Sequence, residues 1–266
     1  MTTIPDDATL LLASVNNTRT RLGLAVGGDV VASRSLANAD ADSMAREAST
    51  LASDHAKPAV ILIASVNDAV AGPLGLSLRD VFPGADVFRL GRDLPVPIPL
   101  AVDEPEGVGV DRQLDALAAY ERAQQACVVV DVGTAITVDF VDGQGTFQGG
   151  AIAPGLSLML DALHRKTERL PELAYEAPDP AHGAFGKTTR HAMQLGVGAA
   201  VRGLVRERAE AYAEAFGAFP VIVATGGDMG VLEGDGLIEH FVPDLTLQGM
   251  ILAAKRALDD DHELDL

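Results

Sequence analysis

The chain has 266 residues, 48% of them hydrophobic, and a formal charge of −18 from 20 basic and 38 acidic residues. This length and hydrophobic fraction are sufficient for a large buried core. The acidic excess argues against nucleic acid and anionic lipid as partners, because both are bound chiefly through cationic side chains.

The N-terminus and the lack of a long apolar run predict a cytoplasmic protein that does not span a membrane. Residues 1–7 have no basic stretch leading into an apolar one, and no run approaches the roughly 20 apolar residues of a membrane span. The single cysteine, Cys127, excludes an intrachain disulfide, and its valine neighbours indicate a core position.

The first predicted unit is a β-hairpin at Leu10 to Val26, where an apolar run, a small polar turn and an alternating strand follow one another. A helix at 37–55, a strand at 59–65 and a further helical segment through 73–80 come next. This alternation predicts an α/β lobe. Residues 83–109 are rich in proline and are predicted to form a surface connection.

A predicted amphipathic helix over 112–126 places Asp111 and Arg112 at its first turn. Two interpretations remain open here. Asp111 could be an N-cap and Arg112 a solvent-exposed side chain. Alternatively, the helix start and Arg112 recognise a carboxylate while Asp111 accepts a proton.

A second hairpin begins at Cys127, and its first strand ends on Asp131, followed by a Gly133-Thr134 turn. A carboxylate at the tip of a buried strand can reach a hydrated cation, and the glycine allows backbone N–H groups to approach a phosphate. The pattern is typical of a nucleotide-phosphate cradle, although the same residues also form an ordinary hairpin turn.

The two hairpins suggest an internal duplication. When they are superimposed, Ser14 falls on Asp131 and Asn16 on Gly133, so the first copy lacks the carboxylate and the turn glycine. Asn16 would tolerate a left-handed backbone. We therefore expect two similar lobes, 1–126 and 127–266, whose hairpins lie opposite each other across a cleft and face one nucleotide.

The second lobe continues with glycines at 147–155, which indicate close approach of the backbone to either a neighbouring helix or a ligand. A helix at 156–163 and a long helix from 186 to about 216 follow. Small residues on the long helix make it a candidate dimer face. The buried strand that starts at Val221 ends in Thr225-Gly226-Gly227, which is either a strand-to-helix turn or a slot for the nucleotide.

Taken in order, these motifs resemble those of type III pantothenate kinases, which have the actin-like ATPase fold. The resemblance spans nearly the whole chain. It rests on Gly109-Val110-Asp111-Arg112, Asp131-Val132-Gly133-Thr134-Ala135, Gly149-Gly150 to Pro154-Gly155, Lys166-Thr167 to Leu170-Pro171, Gly186 to Thr189, and Thr225-Gly226-Gly227.

The resemblance implies an α/β fold of two ribonuclease-H-like lobes with mixed sheets flanked by helices. It also implies phosphorylation of pantothenate by ATP, the step that opens coenzyme A biosynthesis. The implied cofactors are Mg2+ and a monovalent cation, potassium or ammonium. The implied assembly is a homodimer in which the partner subunit completes the pantothenate site.

Residue roles also follow from the resemblance. Asp111 matches the general base, and Asp131 matches the ligand of the monovalent cation. The pantothenate contacts are Gly109, Val110, Arg112 and Thr189. The ATP contacts are Ser14, Asn16, Asn17, Thr18, Arg19, Gly133, Thr134, Gly226 and Gly227.

Two departures distinguish this chain from the family pattern. The first motif is normally Asp-x-Gly-Asn-Thr, and here Ser14 and Asn16 replace its aspartate and glycine. The family tends to carry a tyrosine over pantothenate where this chain has Val102 or Asp103. These changes keep two alternatives open, a non-catalytic ligand-binding relative and a kinase that acts on another hydroxyl.

Overall fold

A computed structural model describes residues 8–263, with side chains described as far as residue 257. The chain divides into two compact units. The first comprises Met1–Arg122 and Asp244–Leu266, and the second comprises Ala123–Pro243. Residues 1–7, on which the absence of a leader was argued, lie outside the described part.

The first unit has a five-stranded sheet in the order β3-β2-β1-β4-β5, in which β1 pairs antiparallel with β2 and parallel with β4. Its elements are β1 (Thr9–Val15), β2 (Arg19–Val26), β3 (Asp29–Ala37), α1 (Ala41–Leu51), β4 (Val60–Ser65), α2 (Asp68–Val81), β5 (Asp86–Arg89), α3 (Val110–Ala123) and α6 (Leu245–Glu263).

Helices cover this first sheet because its strands alternate between two apolar faces. Leu11, Ala13 and Val15 of β1 share a core with residues of α1 and α2. On α6, Leu247 is buried and lies so close to Gly23 of β2 that a Cβ there would be 2.5 Å from the leucine. Gly249 packs directly on the α3 backbone at Leu114, so α6 belongs to this unit.

The second unit repeats the same strand arrangement, with sheet order β10-β9-β6-β7-β8. Its central strand β6 pairs antiparallel with β7 and parallel with β9, as β1 pairs with β2 and β4 in the first unit. The elements are β6 (Cys127–Val132), β7 (Ala135–Val141), β8 (Phe147–Pro154), α4 (Leu156–Lys166), α5 (Thr189–Phe216), β9 (Val221–Thr225) and β10 (His240–Phe241).

One face of the second sheet is packed against helices. The apolar side chains of alternate positions, such as Val128, Val130 and Ile222, form one core with residues of α4 and α5. Asp131, Thr137, Asp139 and Thr225 fall on the opposite face, as their pairing registers require. The fold class predicted from the sequence, two similar α/β units with mixed sheets flanked by helices, is confirmed.

Two features differ from the sequence-based assignment. The predicted second lobe, 127–266, includes Asp244–Leu266, but this segment belongs to the first unit, where α6 packs on the sheet. The segment 83–109, predicted to be a surface connection, contains β5, a short strand that pairs parallel with β4. The helical segment predicted through 73–80 is present as α2, which begins earlier, at Asp68. Among the described residues, no helix is both long and apolar enough to cross a membrane.

Candidate active site

The turn of the first motif is fixed by a side chain from the end of β3. Asn38 donates from its amide to the backbone carbonyls of Asn16, at 2.9 Å, and Asn17, at 3.1 Å. The side-chain oxygen of Asn38 in turn accepts a hydrogen bond of 2.8 Å from the Thr20 hydroxyl. Gln124 is the one non-glycine of the described chain with a positive φ, so the left-handed backbone that Asn16 would tolerate is not adopted there.

The side chains of the first motif divide into a buried and an exposed set. Ser14 is only 2% exposed and lies opposite Arg21 in the β1–β2 register. Asn17 and Thr18 are exposed at the turn. Arg19 donates to the hydroxyl and the carbonyl of Ser35 on β3, at 3.0 and 3.1 Å. In this structure Arg19 therefore lies against its own sheet.

Asp111 is the second residue of α3, so it is not the N-cap that one interpretation required. Its carboxylate accepts a hydrogen bond of 2.9 Å from the backbone N–H of Arg112. A Cβ atom at position 109 would lie 2.5 Å from an Asp111 carboxylate oxygen, so a side chain at this position would clash with the carboxylate. Burial raises the pKa of Asp111 above its ordinary value, although the Arg112 N–H and guanidinium act in the opposite direction.

The structure brings this aspartate to the same edge of the first sheet as the first motif. Both β1 and β4 end there, and the Val66 N–H donates to the Val15 carbonyl at 3.1 Å. Val66 also lies 3.5 Å from the position that a Cβ at Gly109 would occupy. The Asn67 amide is 3.5 Å from the Asn17 carbonyl. The carboxyl edge of a sheet is where α/β proteins commonly bind ligands.

The second unit assembles the corresponding cradle from three separate segments. Asp131 and the Gly133-Thr134 turn form the first, Gly155 the second, and the Gly226-Gly227 turn the third. Gly155 donates from its N–H to the Thr134 carbonyl at 2.9 Å. A Cβ at position 155 would clash with the Gly133 carbonyl oxygen. The sequence flagged Gly155 within a motif but did not assign it to the site.

Gly226 is held in contact with the Asp131 carboxylate. Its φ is +94°, and a Cβ there would come well within 3.0 Å of both an Asp131 carboxylate oxygen and the Val132 carbonyl. The Asp228 N–H donates to the same Val132 carbonyl at 2.9 Å. The turn after β9 is therefore pinned to the end of β6, and glycine is the residue that permits both the backbone conformation and the contact.

The paired glycines of β8 have a structural explanation within the sheet. Asp139 of β7 is 2% exposed and lies opposite Gly150 in the register. A Cβ at position 150 would overlap the Asp139 carboxylate. At Gly150 the close approach is thus to the neighbouring strand, whereas the sequence pointed to a helix or a ligand.

A metal or monovalent cation at this cradle would have to rely on few protein ligands. Within the described residues, no three His, Cys, Asp or Glu side chains are grouped closely enough to hold a metal ion. Asp131 offers a carboxylate beside the Val132 carbonyl and Gly226. This donor set suits a cation that takes its remaining ligands from water and phosphate oxygens.

Thr189 is the first residue of α5 and is exposed. Thr188 caps the helix, since its hydroxyl accepts a hydrogen bond of 3.2 Å from the His191 N–H. Of the small residues predicted to form a dimer face, Gly196, Ala199 and Ala200 are exposed. Gly198 is instead buried beneath the Tyr175 hydroxyl.

Comparisons with known proteins agree with these arrangements. The family model described as type III pantothenate kinase matches residues 10–211. A type III pantothenate kinase of Rhodospirillum rubrum is 34% identical over 75% of this chain and 77% of its own, and that of Dehalococcoides mccartyi is 33% identical over 91% and 93%. The Gluconobacter oxydans relative is 41% identical over 60% of this chain, but the match spans only 58% of that relative's length.

Solved structures with low sequence identity share the fold. A Baf family transcriptional activator from Campylobacter jejuni aligns over 95% of this chain and 99% of its own, with a TM-score of 0.60 and 20% identity. Component A of (R)-2-hydroxyglutaryl-CoA dehydratase from Acidaminococcus fermentans aligns over 96% and 99%, with a TM-score of 0.53 and 16% identity.

Proposed function

Since the chain belongs to the type III pantothenate kinase family, we propose that it transfers the γ-phosphate of ATP to the primary hydroxyl of pantothenate, the first step of coenzyme A biosynthesis. The relatives at 33 and 34% identity are named as this enzyme and align over most of both chains. The observation in the structure that supports the proposal most directly is the environment of Asp111.

Asp111 has the properties of a general base for an alcohol. A primary alcohol is a weak nucleophile, and phosphoryl transfer to it is helped by a carboxylate that accepts the hydroxyl proton. Burial of Asp111 raises its pKa, which makes its ionised form a stronger base. Gly109 keeps the face of this carboxylate clear of a side chain. The substrate hydroxyl would lie within hydrogen-bond reach of a carboxylate oxygen of Asp111.

ATP and the cations are assigned to the glycine-rich segments. Asp131, beside Gly226, is the residue that would hold a monovalent cation, either potassium or ammonium. Gly133, Thr134, Gly226 and Gly227 would offer backbone groups to the nucleotide phosphates. When bound, Mg2+ would neutralise the charge that develops on the transferred phosphoryl group.

The proposed assembly is a homodimer formed through α5. The exposed small residues at 196, 199 and 200 fall on one side of this helix and allow a second helix to approach closely. Thr189 is exposed at the start of the same helix, and the family pattern has the partner subunit complete the pantothenate site. Measurement of the molar mass in solution would test the dimer.

A coupled assay of ADP release tests the proposed activity. We expect release to depend on pantothenate and Mg2+, to persist with Mn2+, and to increase when K+ or NH4+ is added. Product identity should be verified by mass spectrometry, because uncoupled hydrolysis also releases ADP. Release of ADP that is indifferent to pantothenate, or binding of nucleotide without turnover, would contradict the proposal.

Replacing Arg112 with alanine should raise the KM for pantothenate at least about tenfold and change the KM for ATP much less. The reason is that charge-assisted hydrogen bonds to a carboxylate contribute about 1.5–3 kcal/mol. Steady-state kinetics with each substrate varied in turn measures the difference. Unchanged KM values for both substrates would remove Arg112 from carboxylate recognition.

Replacing Ser14 with aspartate tests whether the altered first motif limits metal binding. If the site lacks a carboxylate, Ser14→Asp should lower the Mg2+ concentration required for half-maximal turnover. If Asp139 or another acid already supplies that charge, the added carboxylate should slow the reaction instead. Ser14→Ala is the matched control. Three superimposable Mg2+ titrations would show that position 14 takes no part in metal binding.

A further inference from the structure

A polar network in the second unit lies outside the residues assigned so far. Tyr175 belongs to the segment between α4 and α5, and Arg202 lies in the middle of α5. Both cover Gly198: a Cβ there would lie 2.8 Å from the Tyr175 hydroxyl and 3.3 Å from an Arg202 guanidinium nitrogen. The Arg202 guanidinium and the Tyr175 hydroxyl thus converge over the same glycine.

Arg202 also reaches the segment that follows the nucleotide turn. Its guanidinium donates to the Val231 carbonyl at 3.3 Å. Val231 belongs to a short 3-10 helix, and its N–H donates to the Asp228 carbonyl at 3.1 Å. Asp228 is itself pinned to the end of β6 through the Val132 carbonyl. One side chain therefore joins the Tyr175 segment to the turn that carries Gly226.

We propose that Arg202 is a positioning residue for the nucleotide, which it influences by holding the Gly226–Asp228 turn in place between Tyr175 and Val231. This proposal rests on the assignment of that turn to ATP under the proposed function. Arginine suits the role because its planar guanidinium can donate to two acceptors in fixed directions, whereas lysine presents a single flexible charge.

The charged groups around Tyr175 affect the pKa of its hydroxyl. Burial raises the pKa of Tyr175, while the Arg202 guanidinium opposes and the Asp228 carboxylate reinforces that shift. The phenol therefore stays protonated and faces the Arg202 guanidinium as a neutral hydroxyl. Tyr175 lies in the segment that leads to Thr189, the proposed pantothenate contact. Arg202 therefore connects this segment to the Gly226–Asp228 turn.

Equilibrium binding of a non-hydrolysable ATP analogue, measured by calorimetry on the full chain, tests the role of Arg202. We expect Arg202→Met to raise the Kd about tenfold, and Arg202→Lys and Tyr175→Phe to raise it by smaller factors. The Kd for pantothenate should change less than the Kd for the analogue. Arg206→Met is the matched control, because Arg206 lies one turn further along α5 and forms an exposed ion pair with Asp235 at 2.8 Å.

The outcomes separate positioning from a purely structural role. An Arg202→Met protein that has a lower thermal midpoint but the wild-type Kd would overturn the proposal. If Arg202→Met does not fold, Tyr175→Phe decides, and a Kd equal to that of Arg206→Met would also overturn it. A wild type that binds the analogue without phosphorylating pantothenate would refute the proposed activity alone, since the Kd comparison still applies.

Discussion

Replacing Asp111 with asparagine is expected to lower kcat by a factor on the order of 10²–10⁴, the contribution typical of a positioned general base. The amide keeps the size of the side chain and can accept a hydrogen bond from the Arg112 N–H, but it cannot accept the hydroxyl proton. In wild type, kcat/KM should fall as the pH drops through the raised pKa of Asp111. This acidic limb should be absent from the residual activity of the variant.

The same substitution should stabilise the protein at neutral pH. Burial raises the folded-state pKa of Asp111, so the stability associated with this group is present at low pH and is lost as the pH rises through that pKa. Asparagine carries no charge to desolvate. We therefore expect the thermal midpoint of Asp111→Asn to exceed that of wild type at neutral pH, and the difference to narrow in acid.

Asp42 provides the matched control for Asp111. It is likewise the second residue of a helix, α1, but it is exposed. Asp42→Asn should leave turnover unchanged and slightly lower the thermal midpoint, because it removes a favourable charge from a helix N-terminus. Turnover of Asp111→Asn close to that of wild type would show that Asp111 is not the general base.

The elements that could be predicted from the sequence are those that local patterns determine. The strands of the hairpins at Leu10 to Val26 and from Cys127 onward alternate with a period of two, and short polar turns fix their registers. The duplication was visible because both copies kept this pattern even though Ser14 and Asn16 altered the motif. The long helix predicted from 186 to about 216 is also present, although it begins at Thr189, after the Thr188 cap.

Contacts between distant segments explain what the sequence did not reveal. α6 gives no local sign that it packs on the first sheet, and its place is evident only from contacts with distant residues such as that of Leu247 with Gly23. Asn38 holds the first motif in place of the missing glycine, but nothing near Asn16 indicates this partner. The network of Tyr175, Arg202 and Val231 likewise joins three segments separated along the chain.

The contact between Gly226 and Asp131 gives the second large prediction, a loss of nucleotide binding in Gly226→Ala. Alanine at a φ of +94° carries a backbone cost of about 1–2 kcal/mol. Its Cβ would also overlap the Asp131 carboxylate and the Val132 carbonyl, so the turn or the carboxylate has to move. Because Asp131 is proposed to hold a cation, we expect the KM for ATP to rise at least about tenfold and the K+ requirement to increase.

Gly217→Ala separates the displacement of Asp131 from backbone strain. Gly217 caps α5 with a φ of +84°, and a Cβ there would meet nothing within 4 Å. Both variants therefore bear the left-handed cost and should have lower thermal midpoints, but only Gly226→Ala disturbs a carboxylate. If the two variants show the same KM for ATP and the same K+ dependence, the contact between Gly226 and Asp131 serves stability alone, and the cation has to be held elsewhere.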